Sequence, residues 1–210
     1  MNTFTIRRLT ALGLLAAALT GAAACGDTVR EGRSPAYLVI MDMDAASGAD
    51  DQEFSHELSS DVATEGAVFE DLGRVTFRLA LKNIGPAGAP ASPTTNNVIT
   101  VTRYIVNYRR TDGRNTPGVD VPYGFEGAGT TTVTTADAQM SFILVRAQSK
   151  LEPPLKNLRG GGQSGAIGTI AEVTFYGKDQ TGNDVSVSGS IAVTFADWAD
   201  PDAETPAPEA

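Results

Sequence analysis

IGTIAEVTFYGKDQTGNDVSVSGSIAVTFA, running from Ile167 to Ala196, alternates apolar and polar residues on both sides of a turn. Ala171, Val173 and Phe175 fall on one face, with Glu172, Thr174 and Tyr176 on the other. Beyond Asp179-Gln180-Thr181-Gly182-Asn183-Asp184, the residues Val185, Val187, Ile191, Val193 and Phe195 share a face opposite Ser186, Ser188, Ser190, Ala192 and Thr194. A period of two is that of a half-buried strand, and Gly, Asn and Asp tolerate the positive φ of a tight turn. Residues 167–196 therefore read as a long hairpin. Gly189 interrupts the apolar row and is expected to mark a bulge. Each inward side chain contributes about 1.5–3 kcal/mol, so the register is strongly specified.

Outward from the hairpin, strands are expected at 37–44, 74–82, 98–109, 130–135 and 140–146. In 98–109 the apolar phase changes from Ile99 and Val101 to Tyr104, Val106 and Tyr108. Either a bulge near Thr102 or Arg103, or cover on both faces, accounts for that change. Phe54, Leu58 and Val62, four apart, predict a two-turn helix. Residues 85–97 hold Pro86, Pro90 and Pro93, and residues 113–129 hold Pro117 and Pro122. Both read as long exposed loops. About seven strands with Pro-rich connectors and no helical layer predict an all-β fold, an antiparallel β-sandwich.

Within that pattern, the stretch from Val173 to Val185 resembles the last hairpin of bacterial immunoglobulin-like and fibronectin type III-like domains, where Asp-x-x-Gly-Asn turns the chain. The stretch from Arg103 to Gly113 is similar to a middle strand of the same superfamily. The sequence departs from it in lacking a Trp in that strand and a Cys pair between the sheets. The resemblance implies an immunoglobulin-like architecture, and architecture does not assign function.

A chain of 210 residues with 41% hydrophobic content has enough apolar surface for a core. Its 16 Lys+Arg against 25 Asp+Glu, a net charge of −9 and a pI near 4.6, argue against a nucleic-acid partner, which calls for a basic face. One Cys excludes an intramolecular disulfide, and one Cys with one His excludes Cys/His zinc sites.

Arg7 and Arg8 precede an apolar run from Leu9 to Leu19 that is too short to span a bilayer, then small residues up to Cys25. The stretch Ala22-Ala23-Ala24-Cys25-Gly26-Asp27 resembles the lipobox of bacterial lipoproteins, although Ala22 stands where Leu is usual. The resemblance implies cleavage before Cys25, acylation of that residue and attachment to the membrane through it. Gly26 after the Cys fits outer-membrane sorting. Cleavage at Ala22-Ala23-Ala24 as an ordinary export signal, which frees the thiol, stays open. The expected organisation is a signal peptide at 1–24, a linker at 25–35, the β-domain at 36–198 and a disordered acidic tail at 199–210.

Asp42, Asp44, Asp50 and Asp51, with Glu53, gather hard oxygen ligands around Gly48, which makes Ca²⁺ the one candidate cofactor. Their spacing is not that of an EF-hand, and a solvated acidic loop is the alternative. His56 between Ser55 and Glu57 reads as a surface histidine, because neighbours in sequence do not converge on one reacting atom. Gly160-Gly161-Gly162 lacks the Lys-Ser/Thr of a phosphate loop and reads as a connector. Trp198, Tyr104, Tyr108, Tyr123 and Tyr176 are candidates for a sugar platform, although Tyr104 and Tyr108 share the phase of Val106, which favours packing. Arg109, Arg110 and Arg114 form a basic cluster beside the second loop, either for a partner or paired with nearby carboxylates. The expected role is a lipid-anchored, non-enzymatic structural or protein-interaction module of the cell envelope, at the outer membrane or cell surface, with an unidentified envelope protein as partner. Carbohydrate or calcium binding is the alternative.

Overall fold

The computed structural model describes residues 33–49, 53–160 and 165–198. Cys25, Asp50, Asp51, the expected signal peptide and the expected tail lie outside the described residues. Eight strands follow one another: β1 (Ala36–Ala46), β2 (Glu57–Asp61), β3 (Asp71–Leu81), β4 (Ile99–Arg109), β5 (Phe125–Val133), β6 (Ala138–Val145), β7 (Ile167–Asp179) and β8 (Asp184–Ala196). A one-turn helix, α1 (Ala147–Lys150), follows β6. The fold is all-β. One sheet has the order β1-β3-β6 and the other β2-β8-β7-β4-β5.

The hairpin β7–β8 pairs without a register break from Ile167 opposite Phe195 to Lys178 opposite Asp184. Ala171, Val173, Phe175, Ile191, Val193 and Phe195 are buried, as the alternation requires. Phe175 lies between the sheets, edge-on to Phe77 of β3 at 5.0 Å and to Phe142 of β6 at 5.2 Å between ring centroids. Such edge-to-face pairs add about 0.5–1.5 kcal/mol each beyond the burial of their area. In β4 the register shifts between Val101 and Arg103 against both neighbours, which places a bulge at Thr102 and accounts for the change of apolar phase. The bulge turns Tyr104 and Tyr108 into the core. Tyr108 donates from its hydroxyl to the Leu144 carbonyl at 2.6 Å, and the Tyr104 hydroxyl accepts from the Ile143 amide at 3.1 Å.

Four expectations need correction. The two-turn helix at Phe54–Val62 is instead β2. Leu58, Ser60 and Val62 all turn inward with a period of two, and the polar middle member disguised the pattern. β2 pairs in parallel with β8, from Glu57 opposite Ala192 to Asp61 opposite Ala196, so the larger sheet is mixed rather than antiparallel throughout. β5 begins at Phe125, five residues before the expected strand. Gly127 and Gly129 replace apolar residues there, and the ring of Tyr104 occupies the place where a Cβ of Gly127 would stand. Gly189 marks no bulge. It pairs regularly with Val173, and a Cβ there would sit 2.9 Å from the end of Ile40 and 3.2 Å from that of Met43, so the missing side chain lets β1 approach β8.

The register of β8 has a direct test. Val193→Asp buries an unpaired carboxylate where the side chain has no exposure, and should abolish cooperative urea unfolding. Ala192→Asp, on the exposed face, should change stability by less than about 1 kcal/mol. Equal losses would mean that the faces are misassigned.

Candidate functional site

β4 separates two groups of loops. Its eleven residues, at about 3.3 Å each, hold the loop before it and the loop after it roughly 35 Å apart. Residues 82–98 lie at the end where β1 begins, and the Lys82 amide donates to the Pro35 carbonyl at 3.0 Å. Gln180, in the β7–β8 turn, donates to the Thr95 carbonyl at 2.8 Å at that same end. Residues 110–124 lie at the opposite end, where β6 leads into α1 and where β8 finishes. The two expected loops cannot form one surface.

The loop 110–124 is built from its own hydrogen bonds. The Arg110 amide donates to Asn115 Oδ1 at 2.7 Å, the Thr116 amide to Asp120 Oδ2 at 3.1 Å, and the Gly118 amide to the Val121 carbonyl at 2.8 Å. Val121 is buried and pins the loop to the core, while the ring of Tyr123 folds over Gly118. Asp112 holds both Arg110, at 2.7 Å, and Arg114, at 2.8 Å. Hydrogen bonds from Arg110 and then Arg114 keep the Asp112 carboxyl below the usual carboxylate range. Arg109 pairs with Glu172 at 2.9 Å on the outer face of the larger sheet. Every member of the expected basic cluster thus has a carboxylate. Beside its polar residues the loop exposes two large apolar side chains, Val119 at 67% and Tyr123 at 51%. The sequence reading missed Val119, since a single Val beside Gly118 carries no periodic signal.

At the same end lies a buried ionic cluster that the reading also missed. Asp71, at the start of β3, and Lys150, the last residue of α1, have no side-chain exposure, and Lys150 Nζ is 2.9 Å from both carboxyl oxygens. Ser60 Oγ of β2 donates to Oδ2 at 2.6 Å, and the Gly48 amide donates to Oδ1 at 3.1 Å. Burial pushes the Asp71 carboxyl up, against the opposing pull of the Lys150 charge and of the hydrogen bonds from Ser60, Lys150 and Gly48. Asp and Lys in a chain rich in surface charge are read as solvated, and nothing local in the sequence distinguishes this pair.

The other candidates are dispersed. Asp44 is engaged by Arg74 through both oxygens, and Asp42 lies 3.5 Å from the ring of His56. Among the described residues no three acidic, His or Cys side chains converge on a cation position. His56 is 80% exposed, as a surface histidine should be. Tyr104 and Tyr108 are in the core, Tyr123 is at one end, and Tyr176 lies under Arg103 near the other, 4.0 Å from the guanidinium to the ring centroid. They form no common platform. A polar groove of about 710 Å³, lined by Ser47, Glu53, Ser55 and Glu57 among others, runs beside β2.

No family model and no curated protein matches this chain. Among solved structures it is similar to the sporulation control protein Spo0M of Bacillus subtilis, at 13% identity over 76% of this chain, with a TM-score of 0.26. The chain spans about half the length of that protein, 49% of it. At that TM-score the likeness supports no inference about fold or function.

Two outcomes follow from the charged groups. Lys150→Met leaves Asp71 buried without its cation and should cost about 3–5 kcal/mol in chemical denaturation. Asp112 has a lower pKa folded than unfolded, so its contribution to loop order is fully present above about pH 4 and is lost as the pH falls through the folded value. Hydrogen exchange at the Arg114 amide, which donates to Asp112 at 3.1 Å, should stay protected down to about pH 4 and lose protection below it. In Asp112→Asn that acid dependence should vanish.

Proposed function

We propose that this chain is a lipid-anchored, non-enzymatic interaction module of the cell envelope, held by acylated Cys25 and presenting the loop 110–124 to a protein partner. The observation that carries this reading is the placement of the two ends. The chain enters the β-domain at Ala36, at one end of the sheets, and the ordered loop with exposed Val119 and Tyr123 stands roughly 35 Å away at the other. An anchor upstream of β1 then leaves 82–98 nearest the membrane and 110–124 facing outward.

An ordered loop loses little entropy on contact, and Tyr with Arg is a combination that interfaces favour. Because Arg110 and Arg114 are already bound to Asp112, they hold the loop in shape and offer their remaining donors to a partner. The titratable groups support a non-enzymatic role. Asp71, Lys150, Asp44 and Asp112 are committed to partners within the domain, and His56 faces solvent. Two facing sheets with β7 and β4 at the middle of the larger one support an immunoglobulin-like sandwich, from which the parallel β2 is a departure. Gly26 after the Cys supports outer-membrane placement. Loss of Arg7 and Arg8 with the signal takes the net charge from −9 to −11, so lipid rather than electrostatic attraction would hold the protein at an anionic surface.

Photo-crosslinking in intact cells tests both halves. A photoreactive residue at Val119 should capture a protein, whereas one at Ile84, in the 82–98 loop, should not. A fatty-acid analogue should label the wild type and miss Cys25→Ser. Protein capture at Ile84 alone would reverse the orientation, and label retained in Cys25→Ser would remove the anchor.

A further inference from the structure

We propose that Asp71 and Lys150 are joined by an intramolecular amide bond, from Nζ of Lys150 to Cγ of Asp71. The two residues are 79 apart in sequence and meet with both side chains wholly enclosed. With Nζ 2.9 Å from each carboxyl oxygen, the carboxyl carbon between them lies within near-attack range of roughly 3–3.5 Å. Holding reactants in that way converts a bimolecular condensation, unfavourable in water, into a unimolecular one with a very large effective concentration.

The surroundings supply what the step needs. Charge develops on a carboxyl oxygen as the amine adds, and each oxygen already accepts a fixed donor, Ser60 Oγ at 2.6 Å and the Gly48 amide at 3.1 Å. Addition requires that one ammonium proton pass to the carboxyl, and the burial that pushes the Asp71 carboxyl up lowers the cost of that transfer, which leaves an amine facing a neutral acid. The nitrogen lone pair then forms the bond to Cγ, and one C–O bond breaks. Of the three protons on the original ammonium, two leave with that oxygen as water and one stays on the amide nitrogen. No oxidant or other reactant enters. The product replaces two desolvated charges with one neutral group, which removes the cost of burying them. In a chain with a single Cys, this cross-link would tie β3 to the segment after β6 where no disulfide could.

Peptide mapping of the folded full-length protein by mass spectrometry decides the question. Trypsin should yield a branched peptide joining residues 34–74 to residues 147–156, uncut after Lys150 and lighter than the two together by one water. Lys150→Arg should release the linear peptides 34–74, 147–150 and 151–156, with no branched product. Asp71→Asn should give the same branched product, now with loss of ammonia. Wild-type protein cleaved after Lys150, with the 34–74 peptide separate, would overturn the proposal and leave an ion pair. A linear 34–74 peptide lighter by one water would likewise overturn it, as dehydration at Asp71 alone.

Discussion

Placing a carboxyl group where water cannot reach costs several kcal/mol, and a fold that does so must bring donors to it from wherever the chain can supply them. Asp71 receives the Gly48 amide from the segment after β1, the Ser60 hydroxyl from β2 and the Lys150 ammonium from α1. Three segments that share no continuous hydrogen-bonded ladder are thereby coupled to the first residue of β3. Displacing any one of them leaves the buried Asp71 carboxyl short of a donor. That coupling explains why a short strand, β2, holds its place at the edge of the larger sheet, and why a single helical turn after β6 is well enough defined to bury Lys150 completely.

The two sheets are locked together by a second device, which depends on the bulge at Thr102. Without the extra residue, Tyr104 and Tyr108 would point out of the sandwich with Thr100. With it, their rings pack against Phe142, Phe175 and Phe195, and their hydroxyls reach backbone groups of β6 in the other sheet. β6 pairs with β3 along one side only, so the tyrosines satisfy polar groups on a strand that would otherwise be an open edge. Burial pushes the Tyr108 phenol up, so it stays protonated and keeps its role as a donor.

The first device concentrates its contacts at the end of the domain opposite to the start of β1. The ordered loop 110–124, the Asp71 cluster and α1 all lie there, whereas the connection 82–98 is exposed along almost its whole length. A binding surface gains from such support, because side chains that are already fixed lose little freedom when a partner arrives. The proposed covalent link would extend the same principle from hydrogen bonds to the chain itself.

Much of the framework was legible in the sequence by itself. The β7–β8 hairpin and the strands around Phe77 and Tyr104 follow from apolar period, since a strand with one buried face must repeat every two residues. The phase change in β4 left a bulge and two covered faces as alternatives, between which the pairing decides. What tertiary structure alone decided are the places where a polar or missing side chain occupies an inward position. Ser60 breaks the apolar row of β2, Gly127 hides the start of β5, and Gly189 mimics a bulge while making room for Ile40 and Met43. The pairing of Asp71 with Lys150 and the separation of the two long loops were equally hidden. Periodicity reports how often a side chain turns toward the core, but whether a polar group is tolerated there depends on donors and neighbours brought in from distant parts of the chain, and only the folded arrangement determines which those are.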